Sequence, residues 1–218
     1  MAKKVGIVLS GCGVFDGSEI HESVLTLLAL DRADAEAVCM APNVDQHHVI
    51  NHLKGEEADD KRNVLVESAR IARGEIEDIA GVRADDLDAV IFPGGFGAAK
   101  NLCTFAFDGP NATVNPEVER LLKEMFAARK PIGLICISPV IGAKVLGDSG
   151  VELTIGNDAD TAAGIEATGA KHINCTVTET HEDPERKVVS TPAYMLGKGI
   201  GEVADGIEKL VRTVVAWA

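Results

Sequence analysis

The sequence predicts an α/β fold, doubly wound, with a mostly parallel sheet and helices on both faces. Three observations predict it. Short apolar runs alternate with longer amphipathic segments, the pattern of buried strands joined by crossover helices. Three strand ends carry special turns, Ser10-Gly11-Cys12-Gly13, Pro93-Gly94-Gly95-Phe96-Gly97 and Cys136-Ile137-Ser138-Pro139, and in such sheets ligands bind beyond the carboxyl ends of the strands. The 218 residues are 46% hydrophobic but only 4% aromatic, which suits one core of Val, Ile, Leu and Ala. No Gly/Ser/Pro-rich linker divides the chain, so 1–218 is expected to be a single domain.

Strands are expected over residues 5–10, 35–41, 89–92, 132–137 and 152–155. A further pair, 175–179 and 187–190, flanks Asp183-Pro184-Glu185-Arg186, whose composition is that of a hairpin turn. The first helix is expected over 18–32, where Ile20, Val24, Leu27, Leu28 and Leu30 fall mostly on one face, as in a helix that packs on a core. Others are expected over 61–73, 116–129, 138–146, 158–168 and 201–217. Residues 46–57 fit this alternation poorly and read as an excursion carrying an extra strand, or as a lid.

A formal charge of −13 argues against nucleic acid or an anionic membrane as partner. No apolar run approaches the ~20 residues that span a bilayer. The five cysteines (Cys12, Cys39, Cys103, Cys136, Cys175) are widely spaced and include no Cys-x-x-Cys pair. Strand-like sequence from Val5 leaves no secretory leader, so free thiols in a reducing, cytoplasmic setting are expected. His47-His48-x-x-x-His52 offers an i, i+4 pair with no third ligand of clear geometry, and no metal is expected. The glycines of Gly11-Cys12-Gly13-Val14-Phe15-Asp16-Gly17 miss the dinucleotide spacing, so no such cofactor is expected.

Cys136 is the strongest candidate for chemistry. The buried strand before it gives way to Ser138-Pro139, a good N-cap followed by a residue tolerated in a first helical turn. Cys136 should therefore sit at a strand-to-helix turn, near the positive end of a helix dipole, which favours the nucleophilic thiolate. The bland alternative is a buried structural cysteine. Cys12, between two glycines, is a weaker pocket-lining candidate, while Cys39 lies inside a strand and Cys103 and Cys175 lack an activating context. Pro93-Gly94-Gly95-Phe96-Gly97 is either a tight turn that needs glycine or a loop whose bare N–H groups face a developing oxyanion. Glu19 and Glu22 open the first helix. They cap it, or one of them points over the strand ends towards Cys136, where its pKa would rise and it could shuttle a proton.

Together, the Pro93-Gly94-Gly95 strand end, the Cys136 elbow and the closing Val188-Val189-Ser190-Thr191-Pro192 resemble the ThiJ/PfpI superfamily of the class I glutamine amidotransferase-like, flavodoxin-like fold. More narrowly, the runs from Ser10 to Glu22, from Pro93 to Leu102 and from Thr191 to Leu196 are similar to the ElbB, or isoprenoid-biosynthesis glyoxalase, family, over nearly the whole chain. The resemblance implies that Cys136 is the nucleophile and that Glu22 hydrogen-bonds it, with Glu19 as the competing candidate. It also implies that the Gly95 and Ile137 amides form an oxyanion site, that Gly94 and Asn157 line the pocket, and that the protein is a homodimer. The chain departs from its relatives in three places. Ile137 stands where many carry His after the cysteine, Thr191-Pro192-Ala193-Tyr194 where the glutaminases carry His and Glu, and Gly156-Asn157-Asp158 near a second histidine of glyoxalase relatives. These departures weaken protease and glutaminase readings most. The implied activity is that of a cofactor-independent lyase, a glutathione-independent glyoxalase. It would convert glyoxal or methylglyoxal, a small aldehyde substrate, to glycolate or lactate through a cysteine hemithioacetal. The alternatives are a cysteine-based redox or metabolite sensor acting through a partner, and an amidase on another small substrate.

Overall fold

The structure, a computed structural model, describes residues 2–218. Its strands are β1 (Lys4–Val8), β2 (Glu36–Ala41), β3 (Ile50–Asn51), β4 (Glu56–Glu57), β5 (Glu77–Asp78), β6 (Ala89–Phe92), β7 (Ile132–Ile135), β8 (Glu152–Leu153), β9 (Lys171–His172), β10 (His181–Asp183) and β11 (Val188–Thr191). The helices are α1 (Ile20–Arg32), α2 (Val64–Ile71), α3 (Phe96–Lys100), α4 (Phe105–Asp108), α5 (Pro116–Ala127), α6 (Pro139–Leu146), α7 (Ala159–Glu166) and α8 (Ile200–Trp217). The main sheet has seven strands in the order β10-β11-β7-β6-β1-β2-β5. It is parallel except where β10 folds back on β11. Every residue of β6, β7 and β11 is buried, which is why these strands are apolar without alternation. The winding reverses between β1 and β6, and a crevice opens beyond their carboxyl ends.

Two apolar layers sandwich the sheet. On one face α5 and α6 bury Val118, Leu121, Leu122, Met125, Val140 and Ile141. On the other, α8 buries Val203, Ile207, Leu210, Val211 and Val214, with Ala29 and Leu30 of α1 beside them.

Several sequence-based expectations are corrected. Residues 175–179 form no strand; the partner of β11 is His181–Asp183, and the turn between them is tied by Arg186 N–H donating to Asp183 Oδ1 at 3.1 Å. Residues 152–155 do not extend the main sheet, because β8 pairs instead with β9. The excursion at 46–57 carries the small hairpin β3–β4, held to the first loop by Ile50 N–H donating to Asp16 Oδ2 at 2.7 Å. Within it, His52 engages Phe15 N–H and the Ile50 carbonyl, while His47 packs on Phe107.

The largest correction concerns α1. Its buried face is Glu22, Ser23, Thr26, Ala29 and Leu30, whereas Ile20, Val24 and Leu28 are 42%, 48% and 40% exposed. The inward polar groups are satisfied rather than stranded. The Ser23 and Thr26 hydroxyls donate to the Glu19 and Glu22 carbonyls, both at 2.7 Å. Glu22 is buried as well, with its carboxyl accepting from the Gly94 and Tyr194 amides.

Candidate active site

Three loops meet beyond the ends of β1, β6 and β7, and hydrogen bonds fix them to one another. Glu19 N–H donates to the Gly94 carbonyl at 2.9 Å, Phe96 N–H to Val14 O at 2.8 Å, and Gly97 N–H to Gly17 O at 2.9 Å. The Ser138 hydroxyl donates to Phe92 O and accepts from Ile135 N–H, both at 2.8 Å. Ser138 was expected to cap α6 and does not, because its hydroxyl is occupied in tying β6 to β7. Cys136 occupies the elbow between β7 and α6 with φ +62°. A left-handed conformation is uncommon for a residue with a side chain, and such outliers cluster at functional sites.

Glu22 projects from the first turn of α1 into this junction. Its Oε2 accepts from Gly94 N–H at 2.9 Å and its Oε1 from Tyr194 N–H at 3.2 Å. The Cys136 thiol stands against the same carboxyl, and each group acts on the other's ionisation. Of the two candidate glutamates, Glu22 therefore meets the cysteine. Glu19 is the N-cap of α1, with its Oε2 accepting from Glu22 N–H at 2.6 Å. Gly94 is required where these groups crowd together. A Cβ there would collide with Cys136 Cβ and stand 2.6 Å from Glu22 Oε2.

Burial pushes Glu22 up to about 7, and the charge of Glu19 adds to the rise. The Tyr194 and Gly94 amides and the Cys136 thiol pull the other way. Burial also pushes the Cys136 thiol well above its ordinary value, and the Glu22 carboxyl raises it further. This corrects the expectation that the turn alone favours thiolate. The Gly95 and Ile137 amides do act on the sulfur in that sense, but desolvation and a carboxylate alongside outweigh them. When the pair loses a proton, near pH 7, the charge therefore forms on Glu22 while the sulfur keeps its proton.

The junction forms the floor of a cavity of about 350 Å³. Cys136, Gly95 and Ile137 line it, and Glu19, Val14, Phe96, Thr161, Tyr194 and Met195 complete the wall. Cys12 and Asn157, both expected there, are not part of the wall. Cys12 is half-buried beside Glu67, Arg70 and Asp16, and Asn157 is exposed just before α7. Gly94 lies behind Cys136 rather than on the surface of the cavity. Sequence reasoning missed Tyr194, which supplies both an amide to Glu22 and a ring to the wall. Its hydroxyl pairs with His21 Nδ1 at 2.9 Å. The available signal was position, since Tyr194 follows the end of β11 on the same sheet edge as the other three turns.

Comparison with known proteins places this arrangement among relatives. No family profile matches the chain. It is 53% identical over 224 residues to the human protein "Glutamine amidotransferase-like class 1 domain-containing protein 3, mitochondrial", covering 98% of this chain and 83% of that protein. The rat "ES1 protein homolog, mitochondrial" is 52% identical over 97% of this chain and 83% of its own length. Among solved structures, an isoprenoid biosynthesis protein with amidotransferase-like domain from Ehrlichia chaffeensis superposes with a TM-score of 0.93, at 38% identity and 99% coverage of both chains. A DJ-1 superfamily protein from Salmonella typhimurium shares the fold, with a TM-score of 0.57 at 21% identity. These findings overturn the expectation of a cytoplasmic setting. The human and rat relatives, and a zebrafish one 36% identical over 97% of the chain, are mitochondrial proteins. The five unpaired cysteines do not distinguish one compartment from another.

Proposed function

Because the chain belongs to the ES1 family of class I glutamine amidotransferase-like proteins, whose fold in the DJ-1/ThiJ superfamily also hosts enzymes, we propose that it is a glutathione-independent glyoxalase acting through Cys136 and Glu22. The observation that carries this reading is the buried thiol–carboxyl pair at the floor of a cavity, beside two backbone amides.

The thiol adds to the aldehyde carbon of methylglyoxal while the Glu22 carboxylate takes the sulfur proton and passes it to the carbonyl oxygen, giving a hemithioacetal. Glu22 next removes the proton from that carbon and returns it to the neighbouring one through an enediolate. The Gly95 and Ile137 amides are the donors within reach of the charged oxygen. The product of this internal transfer is a thioester of lactate on Cys136. Water then hydrolyses the thioester to lactate and restores the thiol; glyoxal gives glycolate by the same steps. No step needs a preformed thiolate, so the high pKa of Cys136 is compatible with the chemistry. The same high pKa works against oxidation sensing, which favours a low-pKa, accessible thiol. With one carboxylate serving as base and acid in turn, turnover is expected to be slow.

The test is lactate and glycolate formation from methylglyoxal and glyoxal without glutathione. Product should form with the unaltered protein and disappear in both Cys136→Ala and Glu22→Gln. Product that survives Cys136→Ala would overturn the proposal.

A further inference from the structure

We propose that the cavity prefers an uncharged carbonyl compound bearing an apolar tail over glyoxal and over any anionic aldehyde. The inference rests on the glyoxalase reading for its chemistry, but its argument comes from the cavity walls. The reacting group, Cys136, lines it together with the apolar Val14, Phe96, Ile137 and Met195, and Tyr194, Glu19 and Thr161 are the polar side chains among them. Phe96 is 50% exposed, an aromatic face left open where a tail could lie on it. About 350 Å³ is at the lower end of what encloses a small organic ligand, about 300–1,000 Å³. Glyoxal, no more than two joined carbonyls, would leave most of that space to water against apolar walls.

The charge around the cavity points the same way. Among the described residues, no lysine, arginine or histidine lines it. Two basic side chains of neighbouring segments are engaged elsewhere. Lys100 Nζ donates to Phe15 O at 3.1 Å, and His21 Nδ1 is taken up by the Tyr194 hydroxyl at 2.9 Å. The ionisable groups in its wall are Glu19, Cys136 and Tyr194, with the Glu22 carboxyl against Cys136, and none of them is cationic. A carboxylate or phosphate on the substrate would therefore lose its hydration without gaining a cationic partner, and would meet like charge.

The experiment compares kcat/KM for methylglyoxal, 2-oxopentanal, 2-oxohexanal and the anionic 4,5-dioxopentanoate. Each added methylene should raise kcat/KM about fourfold, and 4,5-dioxopentanoate should fall at least about tenfold below the neutral aldehyde of equal length. A flat series, or an anionic substrate handled as well as its neutral counterpart, overturns the proposal. A second arm needs no turnover. In the Cys136→Ala protein, the Met195 methyl resonance should shift with 2-hexanone and not with 4-oxopentanoate. If no aldehyde is turned over but 2-hexanone alone shifts that resonance, the glyoxalase reading fails and the ligand class stands. If neither ketone shifts it, or both do, the ligand class is overturned whatever the turnover. The Val14→Arg variant adds a direct check, since a cation in the wall should move the preference towards 4-oxopentanoate.

Discussion

Cys136 and Cys103 are both buried thiols in the same chain, and the contrast between them shows what makes a cysteine usable. Burial pushes Cys103 up to about 11, and its Sγ donates to the Ala98 carbonyl at 3.3 Å inside the core. Nothing acidic or open stands beside it. Cys136 is also held protonated, but it has the Glu22 carboxyl beside it, faces a cavity and has two amides nearby. Neither sulfur has a depressed pKa. The difference lies in a base within hydrogen-bond reach and in room for a substrate, so reactivity here is a property of the pair rather than of the thiol.

The comparison breaks first at the two sulfurs. Cys136→Ala should reduce product formation at least about 10³-fold, as loss of a nucleophile does. Cys103→Ala should leave the rate per folded molecule within about threefold and cost stability through the cavity it opens. Equal losses in the two variants would remove the distinction.

Glu22→Gln comes next, with an expected loss of about 10²–10⁴-fold in rate. Its stability should show the opposite sign at high pH. A carboxyl raised in the folded protein binds its proton there when the unfolded chain has already released it, so ionisation weakens folding as pH rises from about 4.5 to about 7. Relative to Glu22→Gln, the unaltered protein should therefore lose on the order of 3 kcal/mol of stability between pH 4 and pH 8. Urea denaturation at the two pH values measures this, and a constant difference would show that Glu22 does not titrate in that window.

Gly94→Ala should be smaller and mainly structural. The new methyl would press on Cys136 Cβ and Glu22 Oε2, costing about 1–3 kcal/mol and displacing the pair. Thermal unfolding and product assay on the same sample would separate the two effects. Smallest should be Glu19→Ala, which removes the α1 N-cap bond to Glu22 N–H for about 1 kcal/mol of stability. A rate loss as large as that of Glu22→Gln would instead give Glu19 the proton-transfer role.

Much of this could be read from the residues. β6 and β7 were legible because both faces are covered, so that no polar residue interrupts them. Cys136 stood out because a strand runs into Ser138-Pro139. α1 was misread because its apolar stripe, Ile20, Val24 and Leu28, faces outward while Glu22, Ser23 and Thr26 face in. Helix patterning assumes that the core wants apolar groups, and here Glu22 on the inner face serves the site while the Ser23 and Thr26 hydroxyls are satisfied by carbonyls one turn back. β10 was missed because its partner is set by a turn and a sheet edge rather than by composition. Tyr194 was missed because its contribution to Glu22 is an amide, which any residue type could supply. The Cys136 pKa was misjudged because a helix dipole can be read from sequence, whereas full burial beside a carboxyl cannot.

The most direct test follows formation of the Cys136 adduct with methylglyoxal by intact-mass and peptide mapping between pH 5 and pH 9, in the unaltered protein and in Glu22→Gln. The rate should rise with ionisation of Glu22 through about pH 7 and be lost in the variant. A rate that is the same in both proteins and rises only as a free thiol ionises would contradict it.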